Sequence, residues 1–311
     1  MATIKNVAVF GAAGNFGAPI TSALLGAGFA VTAFTRPDST SVFPDGVSVA
    51  RTTYSDIVAL AAALRGHDAV VCVLGPAAIA DSEGIVDAAA QAGVKRYIIN
   101  DFGWGPNSLA LPEFKPIGEM RQVAWNRAME YARRDEGKTD GFTWTGITIG
   151  NPIDWALAKF PPMGFNIAER SAMIYDDGTE EFTGTTLEGI GQSVVGIMSN
   201  PTETANRFVR VRSIRVSQNE LLAAFQKATA REWRVERSAT QTLLEEGRRK
   251  HTQGTRGWVL ELNVFHLYAA GQPHVVVPSR EGSDCVVLGV REESADEIAE
   301  KAIRRQLSSN A

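Results

Sequence analysis

Short apolar runs alternate with amphipathic stretches through the first half of the chain. Runs at 7–10, 30–34, 46–50, 68–75, 94–99 and 142–149 are rich in Val, Ile, Ala and Phe and nearly free of charge. Strands buried on both faces have that character. Between them lie helical patterns: 19–28 through Ile20, Leu24 and Ala27, then Val58, Leu60, Ala61 and Leu64, then 79–92 closed by Gly93. A longer helix is predicted over 116–134, where Ile117, Met120, Ala124, Ala128 and Tyr131 recur at three- and four-residue steps. Strands alternating with helices predict an α/β fold, a Rossmann-like doubly wound parallel sheet with right-handed crossovers.

Past residue 152 the alternation loosens. Short strands are expected near 172–175 and 181–183, a helix at 187–198, a strand at 207–212, a capped helix at 217–229 and a charged helix at 295–305. The expected division is a nucleotide-binding domain over 1–152 and a smaller α+β substrate-binding domain over 153–311. Segments near 183–212 are candidates to return to the first.

The connection after the first strand carries the clearest chemistry. Gly11-x-x-Gly14-x-x-Gly17 stands between an apolar strand and a helix opened by Pro19. In that setting the first glycine turns the chain, the second admits a pyrophosphate, and the third packs helix on strand. The positive end of the helix then faces the phosphates. Ala13, Asn15 and Phe16 belong to the same turn and join the cofactor-binding candidates.

The end of the second strand selects among nucleotides. An NAD site places an acid about 20 residues beyond the glycine turn. Here the strand ends in Thr35 and Arg36, and an arginine there suits a 2′-phosphate, so NADPH is the expected cofactor. Asp38 nearby keeps NAD open. Gly75, Asn100, Asp101 and Phe102 end the fourth and fifth strands, at the carboxyl edge where such sheets bind ligands.

Composition removes several alternatives. A net charge of −4 leaves no electrostatic footprint for nucleic acid or an anionic membrane. No charge occurs from 6 to 35, yet glycines and Pro19 interrupt that stretch, so it is core and not a membrane span. Cys72 and Cys285 are too few for a disulfide framework, and His67, His251, His266 and His274 lack metal spacing, so a cytoplasmic, metal-free protein is expected.

With these residues in view the chain resembles the NmrA-like and isoflavone-reductase-like branch of the atypical short-chain dehydrogenase/reductases, especially fungal members. The resemblance rests on Gly11, Gly14 and Gly17, on Arg36, and on Asn100-Asp101-Phe102-Gly103 where plant enzymes carry Ser-Glu-Phe-Gly. It continues in Thr143-Trp144-Thr145, Gly150-Asn151-Pro152 and Ile174-Tyr175-Asp176-Asp177-Gly178, and is weak beyond about residue 225. It implies NADPH in the N-terminal domain and an apolar pocket closed by the C-terminal one. Plant relatives reduce aromatic phenylpropanoids, and some fungal relatives sense redox state without catalysis.

The proton donor is the open point. A classical short-chain enzyme uses Tyr-x-x-x-Lys, but Val58, Asp101, Asp135, Thr179 and Gln272 stand four residues after the five tyrosines. The resemblance implies instead a lysine early in the helix before strand six, where this chain carries Met120, Arg121 or Gln122, depending on register. Lys115 is the nearest lysine and the candidate catalytic residue, with Asp101 a second polar candidate. Trp104, Trp125, Asn151, Trp155 and Phe160 are the substrate-binding candidates, alongside an aromatic and proline-rich patch over 155–165. The expected activity is NADPH-dependent reduction of an apolar, aromatic small molecule. The alternatives are an NADP(H)-sensing regulator and an isomerase or lyase on the same fold; a homodimer is left open.

Overall fold

The computed structural model describes residues 3–106, 111–272 and 275–309. The proline- and leucine-rich stretch 106–116 reads as a loop; its residues 107–110, and His274, lie outside the described residues.

The chain begins with β1 (Asn6–Phe10), α1 (Gly17–Gly26), β2 (Ala30–Thr35), β3 (Ser48–Arg51), α2 (Ile57–Leu64) and β4 (Ala69–Cys72). It continues with α3 (Ser82–Gln91), β5 (Arg96–Gly103), α4 (Lys115–Arg134) and β6 (Thr143–Thr148). Next come α5 (Ile153–Lys159), β7 (Phe165–Asn166), β8 (Ser171–Tyr175), β9 (Phe182–Gly184), α6 (Leu187–Ser199) and β10 (Arg207–Arg210). The last third holds β11 (Ile214–Val216), α7 (Gln218–Thr229), β12 (Arg234–Ser238), α8 (Thr240–Thr252), α9 (Trp258–Tyr268), α10 (Cys285–Leu288) and α11 (Ala295–Ser309).

These elements form two compact units. The first holds Met1–Thr148, Glu188–Val211 and Ser283–Val290; the second holds Ile149–Leu187, Arg212–Gly282 and Arg291–Ala311. Compared with a boundary at 152, residues 149–152 fall in the second unit. Asn151 explains this locally, since its backbone exchanges hydrogen bonds with Thr183 and Thr185 of that unit at 3.1 and 2.8 Å.

In the first unit seven parallel strands run in the order β10-β6-β5-β4-β1-β2-β3. The order reverses between β1 and β4, which opens a crevice at their carboxyl ends. Sequence chemistry sets the pieces. Val7, Ala8, Val9 and Phe10 are fully buried, and each large side chain so buried contributes roughly 1.5–3 kcal/mol. Phe10 stacks on Phe34 at 4.9 Å, and Tyr54 closes the cluster while its hydroxyl donates to the Phe34 carbonyl at 2.8 Å. Asp56 caps α2 by accepting from the Ala59 N–H at 3.0 Å.

Helix α4 departs from its expected stripe. Ala124, Trp125, Ala128 and Ala132 are buried, but Met120 is 47% exposed and Val123 49%. The helix packs its later turns on the Tyr97, Phe142 and Trp144 cluster and leaves its early turns open.

The second unit has a three-stranded sheet in the order β12-β8-β7 and a two-stranded antiparallel pair β11-β9. Ser217 and Glu220 form a capping box at α7. Helix α9 carries apolar residues around its whole circumference, broken by Glu261, Asn263 and His266, so its pattern shows no clear helical stripe; its Leu262, Val264, Phe265, Leu267 and Tyr268 are all buried.

Candidate functional site

The glycine turn sits at the carboxyl end of β1. Gly11 has a φ of +78°, and a Cβ there would run into the Val73 carbonyl oxygen just past β4. A Cβ on Gly17 would meet the Gly11 carbonyl, so the start of α1 lies against the turn only because that side chain is absent. Gly14 is exposed; its own N–H closes the turn on Gly11 O at 2.9 Å. The N–H groups of Ala12, Ala13 and Asn15 find no acceptor among the described residues. Outward N–H groups at a helix start form an anion cradle, and one that a Cβ would fill fits a dinucleotide pyrophosphate.

The neighbouring strand ends complete this edge. Thr35 is buried at the end of β2, and Arg36 follows, exposed, its side chain without a hydrogen bond or ion pair among the described residues. At the end of β4, Gly75 is exposed, and the Asn100 side-chain amide donates to the Leu74 carbonyl at 3.0 Å, joining the β4 and β5 exits. Phe102 meets Phe16 of the glycine turn edge-on, with centroids 6.4 Å apart. The expected cofactor residues are therefore gathered along one edge of one sheet.

Asp101 is the unusual member. It is 2% exposed, its Oδ2 has no hydrogen-bond partner, and Arg121 Nη1 lies 3.6 Å from Oδ1. Burial pushes its carboxyl up to about 6, and the Arg121 guanidinium pulls it only partly back. The pairing joins residues twenty positions apart on β5 and α4, which no local spacing reveals. Of the three residues at the family lysine's place, Arg121 is thus the one seated beside this edge.

Other candidates fall elsewhere. Lys115 opens α4 largely in solvent and, among the described residues, pairs only with the exposed Glu119, at 3.8 Å. Trp125 is a core residue rather than a site residue: 7% exposed, it packs on Phe208 at 5.3 Å within the sheet cluster. Trp104, half-buried, follows β5 directly. In the first unit Tyr54 is pushed up to about 12 by burial and Tyr97 well above the usual range, so neither is a poised acid.

In the second unit Asn151 is buried, with Nδ2 4.0 Å from Met163 Sδ and Oδ1 without a partner. Trp155 packs edge-on against Phe160 at 4.8 Å. Phe160 lines a cavity of about 360 Å³ with Pro161, Phe165 and Met173 and the charged Arg234 and Glu236. No group of three or more potential metal ligands occurs among the described residues, and no helix there is long and apolar enough to cross a membrane.

A doubly wound sheet with a glycine cradle at its switch point defines a dinucleotide-binding protein of Rossmann type. Residues 3–114 match the model of the NmrA-like family. The chain is 52% identical over 294 residues to "Oxidoreductase poxI" of Penicillium oxalicum, covering 94% of this chain and 92% of that one. Its fold matches a crystal structure of isoflavone reductase, with a TM-score of 0.74, 20% identity, and coverage of 96% of this chain and 99% of that one. It also matches AtPrR2 with NADP+ and (+)pinoresinol, with a TM-score of 0.73, 20% identity and the same coverage. The chain belongs to the NmrA-like family, and it is an oxidoreductase. The reading as a regulator without catalysis therefore falls away.

Proposed function

We propose that the protein is an NADPH-dependent reductase of an apolar, aromatic small molecule. The observation that carries the cofactor choice is Arg36, an exposed guanidinium at the end of β2 that no carboxylate among the described residues engages. In that position a guanidinium suits the 2′-phosphate, and its planar fork matches phosphate oxygens two at a time. The turn from Gly11 to Gly17 would hold the pyrophosphate. Gly75, Asn100 and Phe102 would border the nicotinamide half. When bound, the cofactor supplies hydride. The chain's own part is to seat it, fix its face and exclude water.

The aromatic character of the substrate is supported by the relatives' names, which include isoflavone reductase and a complex with pinoresinol. Trp104, and separately Asn151, Trp155 and Phe160, remain candidates for holding it.

Titration with NADPH and NADH tests the reading. NADPH should bind about 10–100-fold more tightly, as charge-assisted bonds of roughly 1.5–3 kcal/mol imply. Arg36→Ala should remove that preference and leave NADH binding unchanged. Equal affinities in the native chain would refute the choice of NADPH.

A further inference from the structure

Two of the four arginines on helix α4, Arg121 and Arg127, are in different states. Arg127 is spent on protein partners: it donates to Asp87 at 2.6 Å and Glu130 at 3.1 Å, and its remaining arm lies 3.5 Å from the Tyr131 hydroxyl. The Arg121 side chain makes no hydrogen bond among the described residues. Its one partner, Asp101, is 3.6 Å away, beyond the usual N–H···O range of about 2.7–3.2 Å. The guanidinium is held electrostatically while its five N–H donors stay uncommitted.

Its surroundings favour an anion. Glu119 on the same helix is engaged by Lys115. Asp101 behind it is buried and so cannot follow the guanidinium out to solvent. The guanidinium is about a third exposed, and its neighbours Met120 and Val123 are exposed apolar side chains. Asp101, Phe102 and Phe16 link it to the glycine turn of the same unit. A planar cation with free donors, flanked by apolar surface at the edge of a nucleotide site, is suited to bidentate capture of a carboxylate. Phenols, with pKa values near 10, are mostly neutral around pH 7 and would not supply the charge.

We infer that Arg121 is a specificity determinant for a substrate that bears a carboxylate beside its aromatic or apolar body, with Asp101 as its positioning residue. This rests on the nicotinamide reading of the same edge. Arg121 is one of the three residues, with Met120 and Gln122, that stand where the family resemblance implies a lysine; an arginine in place of that point charge changes the recognition geometry as well as removing a titratable amine.

Calorimetric titration of the full chain loaded with NADP+, which cannot reduce the probe, tests this. The probes are 4-carboxychalcone and its primary carboxamide, which keeps the shape and removes the charge. The carboxylate should bind about 10-fold more tightly, the equivalent of one charge-assisted contact of roughly 1.4 kcal/mol. Arg121→Ala should erase the difference while leaving the carboxamide within about twofold, and Arg121→Lys should restore part of it. Arg121→Gln serves if the alanine variant does not fold. Equal binding of the two probes, or a preference that survives loss of Arg121, overturns the inference. Failure of NADP+ to bind is a failure of the nicotinamide reading instead; the same probe pair titrated on the free chain then decides the role of Arg121.

Discussion

The two edges of the seven-stranded sheet treat their charged residues in opposite ways. At the amino edge Arg96 begins β5 and is 1% exposed. It donates to Thr145 Oγ1 at 2.5 Å, to Thr204 Oγ1 at 3.1 Å and to the Pro201 carbonyl. Nearby, Asp68 accepts from the Lys5 and Asn6 N–H groups at 2.9 Å each. At the carboxyl edge of the same strand, Asp101 has an unpartnered oxygen, Arg121 has uncommitted donors, and the turn after β1 presents outward N–H groups. Burial of polar groups costs free energy unless each finds a partner. The amino edge meets most of that cost from within, with Arg96 Nε the exception; the carboxyl edge leaves more of it for a ligand, and the difference separates a mainly structural edge from a functional one.

The contrast breaks first at Arg96. Arg96→Ala would leave a cavity and three acceptors without a donor, so stability should fall by about 4 kcal/mol. Cofactor affinity should stay within about twofold. Urea denaturation and NADPH titration check both; a loss of under about 1 kcal/mol, or a loss of cofactor binding in the folded variant, would mean that this edge is not purely structural.

Asp101→Asn sharpens the other side, because it should raise stability. The folded carboxyl titrates at about 6 against an ordinary value of 3.8, so the folded state holds its proton more tightly. Stability from this group is full below about pH 4, is lost as pH rises through 6, and stays lost above. The asparagine cannot ionise. Its advantage should therefore be near zero at pH 4 and approach about 3 kcal/mol by pH 7.5. A pH-independent difference would show that Asp101 titrates normally.

Gly17→Ala tests whether the cradle is as tight as its backbone suggests. The added methyl collides with the Gly11 carbonyl, and only a shift of the turn relieves it. NADPH affinity should fall about 100-fold, near 2.7 kcal/mol, with the far-ultraviolet circular dichroism unchanged. Gly14→Ala, whose Cβ would sit 3.1 Å from the same oxygen, should lose less. The reverse order would relocate the pinch point.

The difference between the edges also explains what was legible in the sequence. The six strands from 6 to 148 and the glycine turn showed because buried parallel strands are continuous apolar runs and the turn demands glycine at fixed steps. Strand β12 and helices α8 and α9 gave no signal: β12 is largely exposed and charged, and α9 mixes apolar residues around its circumference with Glu261, Asn263 and His266, so no stripe stands out. Trp125 looked like a ligand-facing aromatic because composition does not say on which side of α4 it falls. The Asp101–Arg121 pair was hidden for a different reason, since it depends on how α4 seats against β5, which is tertiary geometry and not period. Met120 was expected inside on period alone, but on the early turns of α4 it stays 47% exposed, and its neighbour Val123 49%.

Lys115 gives the smallest expected effect and the sharpest comparison with Arg121. The two lie on one helix, six residues apart, and either cation could be named as the functional one from sequence. In the structure Lys115 is 76% exposed and its only carboxylate partner among the described residues is Glu119, an exposed pair of the kind worth about 0.5 kcal/mol or less. Arg121 instead faces a buried carboxylate at the nucleotide edge. Lys115→Ala should therefore leave NADPH affinity, 4-carboxychalcone affinity and turnover within about twofold, and stability within about 0.5 kcal/mol. A tenfold loss of turnover with cofactor binding intact would return Lys115 to the chemistry and require that the start of α4 turn inward when ligands bind.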